Sequence, residues 1–354
     1  MTKKIDIRSL LPEELTEYLI SIGEKPFRAK QIFPRLHKGE RVMDISTLSK
    51  ALRERLESET FDTLPTVEEK LVSKIDGTVK YLFKLYDGEC IESVFMKYKH
   101  GNTLCISSQV GCYMGCKFCA STIGGKFRDL LPSELLGQII AAERDSGERI
   151  SNIVMMGIGE PLDNFDNVIK FLRLVNNEEG LNIGYRHISL STCGVVPGIY
   201  KLAEVDIPIT LSISLHASSD EKRAEIMPVN KKWNIAELLS ACVDYYKVTG
   251  RRISFEYTLI SGKNDTEQDA ISLGNLLKNA FKGTGAPLHV NLIRVNEVKE
   301  SGFKKGSAES ANSFAKTLEA MGVVATVRRR LGADVNAACG QLRRQSKAKT
   351  DSEV

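Results

Sequence analysis

The sequence predicts an α/β fold built on parallel strands, and three observations carry that reading. Strand-like runs recur after residue 100, at Thr103–Ser107, Asn152–Met156, His187–Ser191, Ile209–Leu215, Ile253–Ile260 and Leu288–Val295. Helical patterns separate them, among them Pro132–Arg144, Asn167–Asn176, Ile235–Val248 and Glu267–Leu277. Small or polar phrases follow the carboxyl ends of several runs, where parallel α/β folds gather ligands. Alternation of this kind implies helical crossovers, because a tight turn cannot join parallel neighbours. Six such units suit either an open doubly wound sheet or an incomplete barrel. A last strand-like run covers Val323–Arg330.

The first hundred residues have a different texture. Pro12–Ile22, Pro26–Leu36 and Ile45–Leu56 carry apolar residues at three-to-four spacing, which predicts helices, and Gly23 and Gly39 punctuate them. Arg28, Lys30, Arg35, Lys38 and Arg41 gather there, on either an RNA-facing patch or an ordinary solvated helix face. From about residue 66, Asp76-Gly77 and Asp87-Gly88 are hairpin-turn dipeptides between β-rich runs. After the second turn, strand alternation puts Glu92, Val94 and Met96 on one face. The expected organisation is a helical module over 1–65, a β-hairpin connector over 66–97, a core over 98–342 and a polar tail over 343–354.

Of the 354 residues, 42% are hydrophobic and 27% charged, the balance of a globular chain with a sizeable core. A net charge of +4 permits a nucleic-acid partner without requiring one. No run approaches the roughly 20 apolar residues that cross a bilayer, and the first residues lack a signal peptide's apolar centre. A cytoplasmic protein with no membrane partner is expected. Eight cysteines in a reducing compartment then read as metal ligands or catalysts before disulfides.

Three of the eight form Cys112-Tyr-Met-Gly-Cys116-Lys-Phe-Cys119. Thiolates at this spacing can hold three irons of a cubane iron–sulfur cluster, leaving the fourth open to a cofactor. Structural zinc wants four ligands, and Cys105 is the candidate for a fourth in that competing reading. The strand-end phrases lie beside this loop. Gly157-Ile-Gly159-Glu160-Pro161 follows the second run, Ser191-Thr-Cys193-Gly194 the third and Ser214-Leu215-His216 the fourth, while Asn296 ends the sixth. Each alone is an ordinary turn, but together they mark one rim of the sheet as a site.

The C-x3-C-x2-C triplet after the first strand of a βα repeat resembles the radical S-adenosylmethionine (SAM) superfamily. Cys105-Ile-Ser-Ser-Gln-Val-Gly-Cys112, Met155-Met-Gly-Ile-Gly-Glu160-Pro, Ser214-Leu-His-Ala217 and Ala337-Ala-Cys339-Gly-Gln-Leu342 narrow the resemblance to the RlmN/Cfr family of RNA adenine methyltransferases, nearest its RlmN branch. The likeness covers nearly the whole chain, including Lys25-Pro-Phe-Arg-Ala-Lys30. Two positions depart from the RlmN pattern: Cys193 stands where serine is usual, and Arg294 where proline is usual, as in Cfr. Pro161 and Ala217 follow RlmN.

The resemblance implies an incomplete (β/α)6 TIM-like radical SAM barrel. Cys112, Cys116 and Cys119 would bind a [4Fe–4S] cluster, and Gly159, Glu160, Ser191, Ser214, Leu215, His216 and Asn296 would bind SAM. Cys339 would accept a methyl group and, once a radical forms on it, join the adenine. Cys105 would then attack the Cys339 sulfur, releasing product and leaving a transient disulfide, and Glu92 would take the ring proton. Cys90, Cys193 and Cys242 read as buried or incidental thiols. The implied activity is methylation of adenine C2 in 23S rRNA and in tRNA, by a monomer served by a reductant such as flavodoxin or ferredoxin. Cfr-like methylation of C8 in 23S rRNA is the competing enzyme. A non-catalytic, metal-containing RNA-binding protein is the competitor from another class, and it leaves Cys339 and the strand-end phrases unexplained.

Overall fold

The computed structural model describes residues 4–295, 302–335 and 342. Near the N-terminus, β1 (Ile5–Asp6) pairs in parallel with β2 (Thr60–Phe61), and α1 (Pro12–Ser21), α2 (Arg28–His37) and α3 (Lys50–Glu59) fill the interval. The third helix starts later than its apolar spacing suggests, because the Ser49 side chain accepts a hydrogen bond from Leu52 N and caps it there.

An antiparallel meander follows: β3 (Thr66–Val72), β4 (Val79–Lys84), β5 (Cys90–Tyr98) and β6 (Gly101–Cys105). The short antiparallel pair β7 (Gln109–Gly111) and β8 (Lys126–Asp129) brackets the cysteine triplet. Then come α4 (Pro132–Ser146), β9 (Asn152–Met155), α5 (Phe165–Asn176), β10 (Ile188–Thr192), α6 (Val196–Glu204), β11 (Thr210–Ser214), α7 (Asp220–Ile226) and α8 (Ile235–Thr249). The described order ends with β12 (Ile253–Leu259), α9 (Glu267–Ala280), β13 (His289–Arg294), α10 (Ala308–Ala320) and β14 (Val324–Val327).

Ten strands make one open sheet in the order β14-β13-β12-β11-β10-β9-β6-β5-β4-β3. The six expected barrel strands, β6 and β9 to β13, are all parallel, and β14 adds a seventh beside β13. The segment expected as a hairpin connector is three strands that extend the same sheet from β6. Side chains alternate sharply across it. Leu104, Ile153, Leu190, Leu211, Phe255 and Val290 lie on the face covered by helices and are buried in the main core. Their neighbours Thr103, Ser189, Ser212, Ser254, Glu256 and Asn291 turn inward and make the concave face polar.

The helical module is fused to the barrel. One continuous apolar core runs from Ile7 through Leu36 and, on α4, Leu135, Leu136 and Ile139, to Val323. Buried Arg8 donates to Asp62 Oδ2 at 2.6 Å and to Glu40 O at 3.1 Å, and Ser133 N of α4 donates to Ser9 Oγ at 2.9 Å. Inside this core sits His37, tilted by 31° against Phe33 with ring centroids 4.0 Å apart. Both its ring nitrogens lack hydrogen-bond partners among the described residues. Burial, with the nearby Arg8 charge, lowers its pKa to about 3.

This shift sets a pH dependence. The unfolded chain protonates a histidine near pH 6.5, whereas folded His37 resists down to about 3. Its stabilising contribution is therefore complete above about pH 6.5 and is lost as pH falls through that window. The urea midpoint is expected to drop between pH 7 and pH 5, and less so in His37→Phe. Parallel pH profiles for the two proteins would contradict the assignment.

Candidate active site

The carboxyl ends of the parallel strands meet around the cysteine loop. Cys112, Cys116 and Cys119 follow β7, and Thr122 Oγ1 donates to the carbonyls of Cys116 and Cys119 at 3.3 and 2.9 Å, bending the loop onto itself. Lys117 N donates to Ile226 O of α7 at 2.9 Å. Phe118 meets the His216 ring edge-on at 4.9 Å, joining the loop to the end of β11.

Burial raises the Cys112 pKa to about 12 and pushes Cys116 up as well, and each is raised further by the neighbouring cysteines. Buried thiols that oppose one another's ionisation suit a cationic metal centre, which holds them as thiolates. A cubane takes each thiolate on a different iron. The donor set thus fits a cluster.

The loop after β9 presses against the chain leaving β6. A Cβ on Gly157 would lie 2.6 Å from Ile106 O, and one on Gly159 2.7 Å from Gln109 N, so this approach requires glycine. It delivers Glu160 into the interior, where its carboxylate accepts from Cys193 N at 2.7 Å and Leu162 N at 3.0 Å. Burial raises its pKa and these hydrogen bonds oppose the rise. Glu160 therefore ties the β9 loop to the β10 loop. Ser191 lies near the end of β10 and Ser214 ends β11, with Leu215 and His216 following. His216 is buried at φ 58°, and its Nδ1 accepts from Thr258 N at 2.9 Å. Burial lowers its pKa to about 3, so the ring is neutral with its proton on Nε2.

On the adjoining side, Val94 of β5 pairs with Cys105 at the end of β6. Glu92, two residues earlier, shares their inward face, and its carbonyl accepts from Ser107 Oγ at 2.6 Å. Expected Glu92 and Cys105 thus sit together at the rim. Leu331 packs on the Val94, Met96 and Cys105 group. Just beyond it, Gly332 N donates to Asp76 Oδ2 at 2.9 Å, and Asp334 accepts from Ser73 Oγ at 2.6 Å. The chain therefore passes Cys105 four residues before position 335. Cys339 and Asn296 lie outside the described residues, although Val295, just before Asn296, is buried in the apolar group that holds Cys116.

Three participants escaped the sequence reading. Lys80 of β4 makes an ion pair with Glu92 at 3.1 Å, with side chains 1% and 0% exposed. A lysine at an inward position between Val79 and the apolar run Tyr81–Phe83 is the signal that could have found it. Cys193, expected as a buried or incidental thiol, is buried, and beyond that it shares the apolar group of Cys116 and contacts Glu160 through its backbone. Arg223 is completely buried behind the β10 and β11 loops.

Comparison with known proteins agrees with this geometry. The Radical SAM superfamily matches residues 106–273, and the ribosomal RNA large subunit methyltransferase N-terminal domain matches residues 5–61. A protein of Alkaliphilus oremlandii named as a probable dual-specificity RNA methyltransferase RlmN is 55% identical over 97% of this chain and 98% of its own length. One of the same name from Lachnoclostridium phytofermentans is 51% identical over 99% and 97%. The crystal structure of a radical SAM methyltransferase from Sphaerobacter thermophilus superposes with a TM-score of 0.89 at 39% identity, covering 95% of this chain and 98% of that one. The chain belongs to the RlmN family of radical SAM RNA methyltransferases.

Proposed function

We propose that this enzyme methylates C2 of adenine in 23S rRNA and in tRNA. The observation that supports it best is the meeting of Glu92 and Cys105 on one inward face, with Leu331 packed on the Cys105 side of it. That is where two thiols and a base would have to cooperate. Cys112, Cys116 and Cys119 would hold a [4Fe–4S] cluster, which with SAM bound would supply a carbon-centred radical. Gly159, Glu160, Ser191, Ser214, Leu215, His216 and Asn296 would hold SAM at the rim. Cys339 carries the methyl group to the base. Cys105 attacks the Cys339 sulfur afterward, freeing the product and leaving a disulfide. Glu92 accepts the ring proton, and Lys80 compensates its charge where water does not reach.

The basic edge of the helical module is proposed to grip folded RNA by phosphate and shape, the target adenine being unstacked to reach the rim. Lys30, Lys38 and Arg41 are exposed there. Arg28 lies 3.8 Å from Glu24 and Arg35 2.9 Å from Glu40, so their charges are partly offset. We place the enzyme in the cytoplasm, as a monomer reduced by flavodoxin or ferredoxin; no described helix is long and apolar enough to cross a membrane.

Nucleoside mass spectrometry after reaction with ribosomal RNA is expected to show 2-methyladenosine. Predominant 8-methyladenosine would transfer the chain to the Cfr-like reading that Arg294 favours. Cys105→Ala is expected to accumulate protein joined covalently to RNA, seen on a denaturing gel with labelled RNA, and Cys339→Ala to give no such band. Equal bands would refute the division of roles.

Each of Lys30→Ala, Lys38→Ala and Arg41→Ala is expected to reduce the salt dependence of RNA binding by about one counterion, and Arg28→Ala and Arg35→Ala by less. An unchanged slope in the triple variant would make the patch an ordinary solvated face.

Lys80→Met strands a buried carboxylate and is expected to cost about 3–5 kcal/mol of stability by urea denaturation. Adding Glu92→Leu is expected to restore much of that loss. A double variant no more stable than Lys80→Met would show that the pair is not what Lys80 contributes.

A further inference from the structure

Arg223 of α7 is 0% exposed, and the hydrogen bonds it donates all go to neutral oxygens. Nε donates to Leu215 O at 3.1 Å, Nη2 to Cys193 O at 2.7 Å and Ser214 O at 3.1 Å, and Nη1 to Asn230 Oδ1 at 2.9 Å. Three of these acceptors are backbone carbonyls of the loops after β10 and β11, where the SAM-contacting phrases lie. The fit is close: a Cβ on Gly194 would come within 3.2 Å of Nη2. A guanidinium withdrawn from water is costly unless negative charge offsets it. Cys193, whose carbonyl Arg223 binds, packs in one apolar group with Cys116 of the candidate cluster loop, and that loop's backbone is itself bonded to the end of α7 through Lys117 N and Ile226 O.

We propose that Arg223 is a positioning residue of the cofactor rim: its fork holds the β10 and β11 loops together, and its positive charge raises the reduction potential of a cluster held by Cys112, Cys116 and Cys119. This rests on the reading of those three cysteines as cluster ligands. A cation behind a thiolate-bound cluster favours the state that has gained an electron, because net charge and nearby dipoles set cluster potentials. Lysine supplies the same charge from a single point and cannot reproduce the planar fork that reaches three carbonyls at once. The two contributions of Arg223 are therefore separable.

The test uses the anaerobically reconstituted full chain with Arg223→Gln and Arg223→Lys. Midpoint potentials are read by EPR-monitored titration without SAM, and amide exchange over residues 193–194 and 214–216 is read in the cluster-free proteins. Arg223→Gln is expected to shift the midpoint downward, Arg223→Lys to leave it near the parent value, and both to speed exchange in the two loops. Should Arg223→Gln not fold, Asp220→Asn keeps the test alive. Asp220 is exposed, and its Oδ1 accepts from Asn230 Nδ2 and Ile235 N, both at 2.8 Å, so asparagine retains an acceptor while removing a negative charge. Its midpoint is expected to move upward. An unchanged midpoint in Arg223→Gln, or in Asp220→Asn where that variant stands in for it, at full iron content, or unchanged loop exchange in Arg223→Lys, would overturn the proposal. A parent protein that takes up no four-iron cluster refutes the cluster reading instead, and the exchange comparison, made without a cluster, still decides whether Arg223 positions the loops.

Discussion

The site depends on one constraint, the common direction of six hydrogen-bonded strands. Because β6 and β9 to β13 run in parallel, every loop at their carboxyl ends emerges on the same rim. Sheet register then sets which side chains turn inward, and a slip of one residue would send Cys105 and Glu92 to the helix-covered face. The loops are stitched together at their tips by a few buried polar groups. Glu160 joins the second loop to the third, Arg223 the third to the fourth, and the Phe118–His216 contact joins the fourth to the cysteine loop. Strand direction brings the groups near, and these contacts fix their distances.

The sequence showed what is local and periodic. The cysteine triplet is a contiguous phrase, and the six strand runs and the Gly157-Ile-Gly159-Glu160 turn are likewise short-range patterns. Their placement followed from strand order, and the structure agrees. What stayed hidden depends on partners distant in the chain. Lys80 resembles any lysine in a strand until its register sets it diagonally across from Glu92. Arg223 sits among Asp, Glu and Lys in a segment that looks solvated, yet the fold around α7 closes over it. Cys193 read as a buried or incidental thiol, and buried it is, but nothing in the chain shows that it shares an apolar group with Cys116. The three-strand extension was half visible: the turn dipeptides were clear, but pairing of β5 with β6 is a matter of register rather than composition.

Buried charge distinguishes this interior from an ordinary core. Lys80 with Glu92, Arg223, Glu160 and Glu256 are all withdrawn from water on or near the concave face. Glu256 accepts from Asn291 Nδ2 at 2.7 Å, and both line a hollow of about 550 Å3. Such groups reduce stability relative to an apolar filling and are tolerated where each has its partners. The apolar, helix-covered face of the sheet supplies the compensating burial.

The unbroken core between the helical module and the barrel has a mechanical meaning. Ser133 of α4 bonds both Ser9 and Asp6 of the module, and the apolar packing continues from Ile7 to Val323 without a break between the two parts. On the proposed reading, the phosphate-gripping edge and the reacting rim are then two jaws of a rigid caliper. A caliper does not adapt; it measures. Two RNAs as different as a ribosomal strand and a transfer RNA would be accepted for the same span between backbone and target adenine, and the adjustment needed to present it would fall on the RNA.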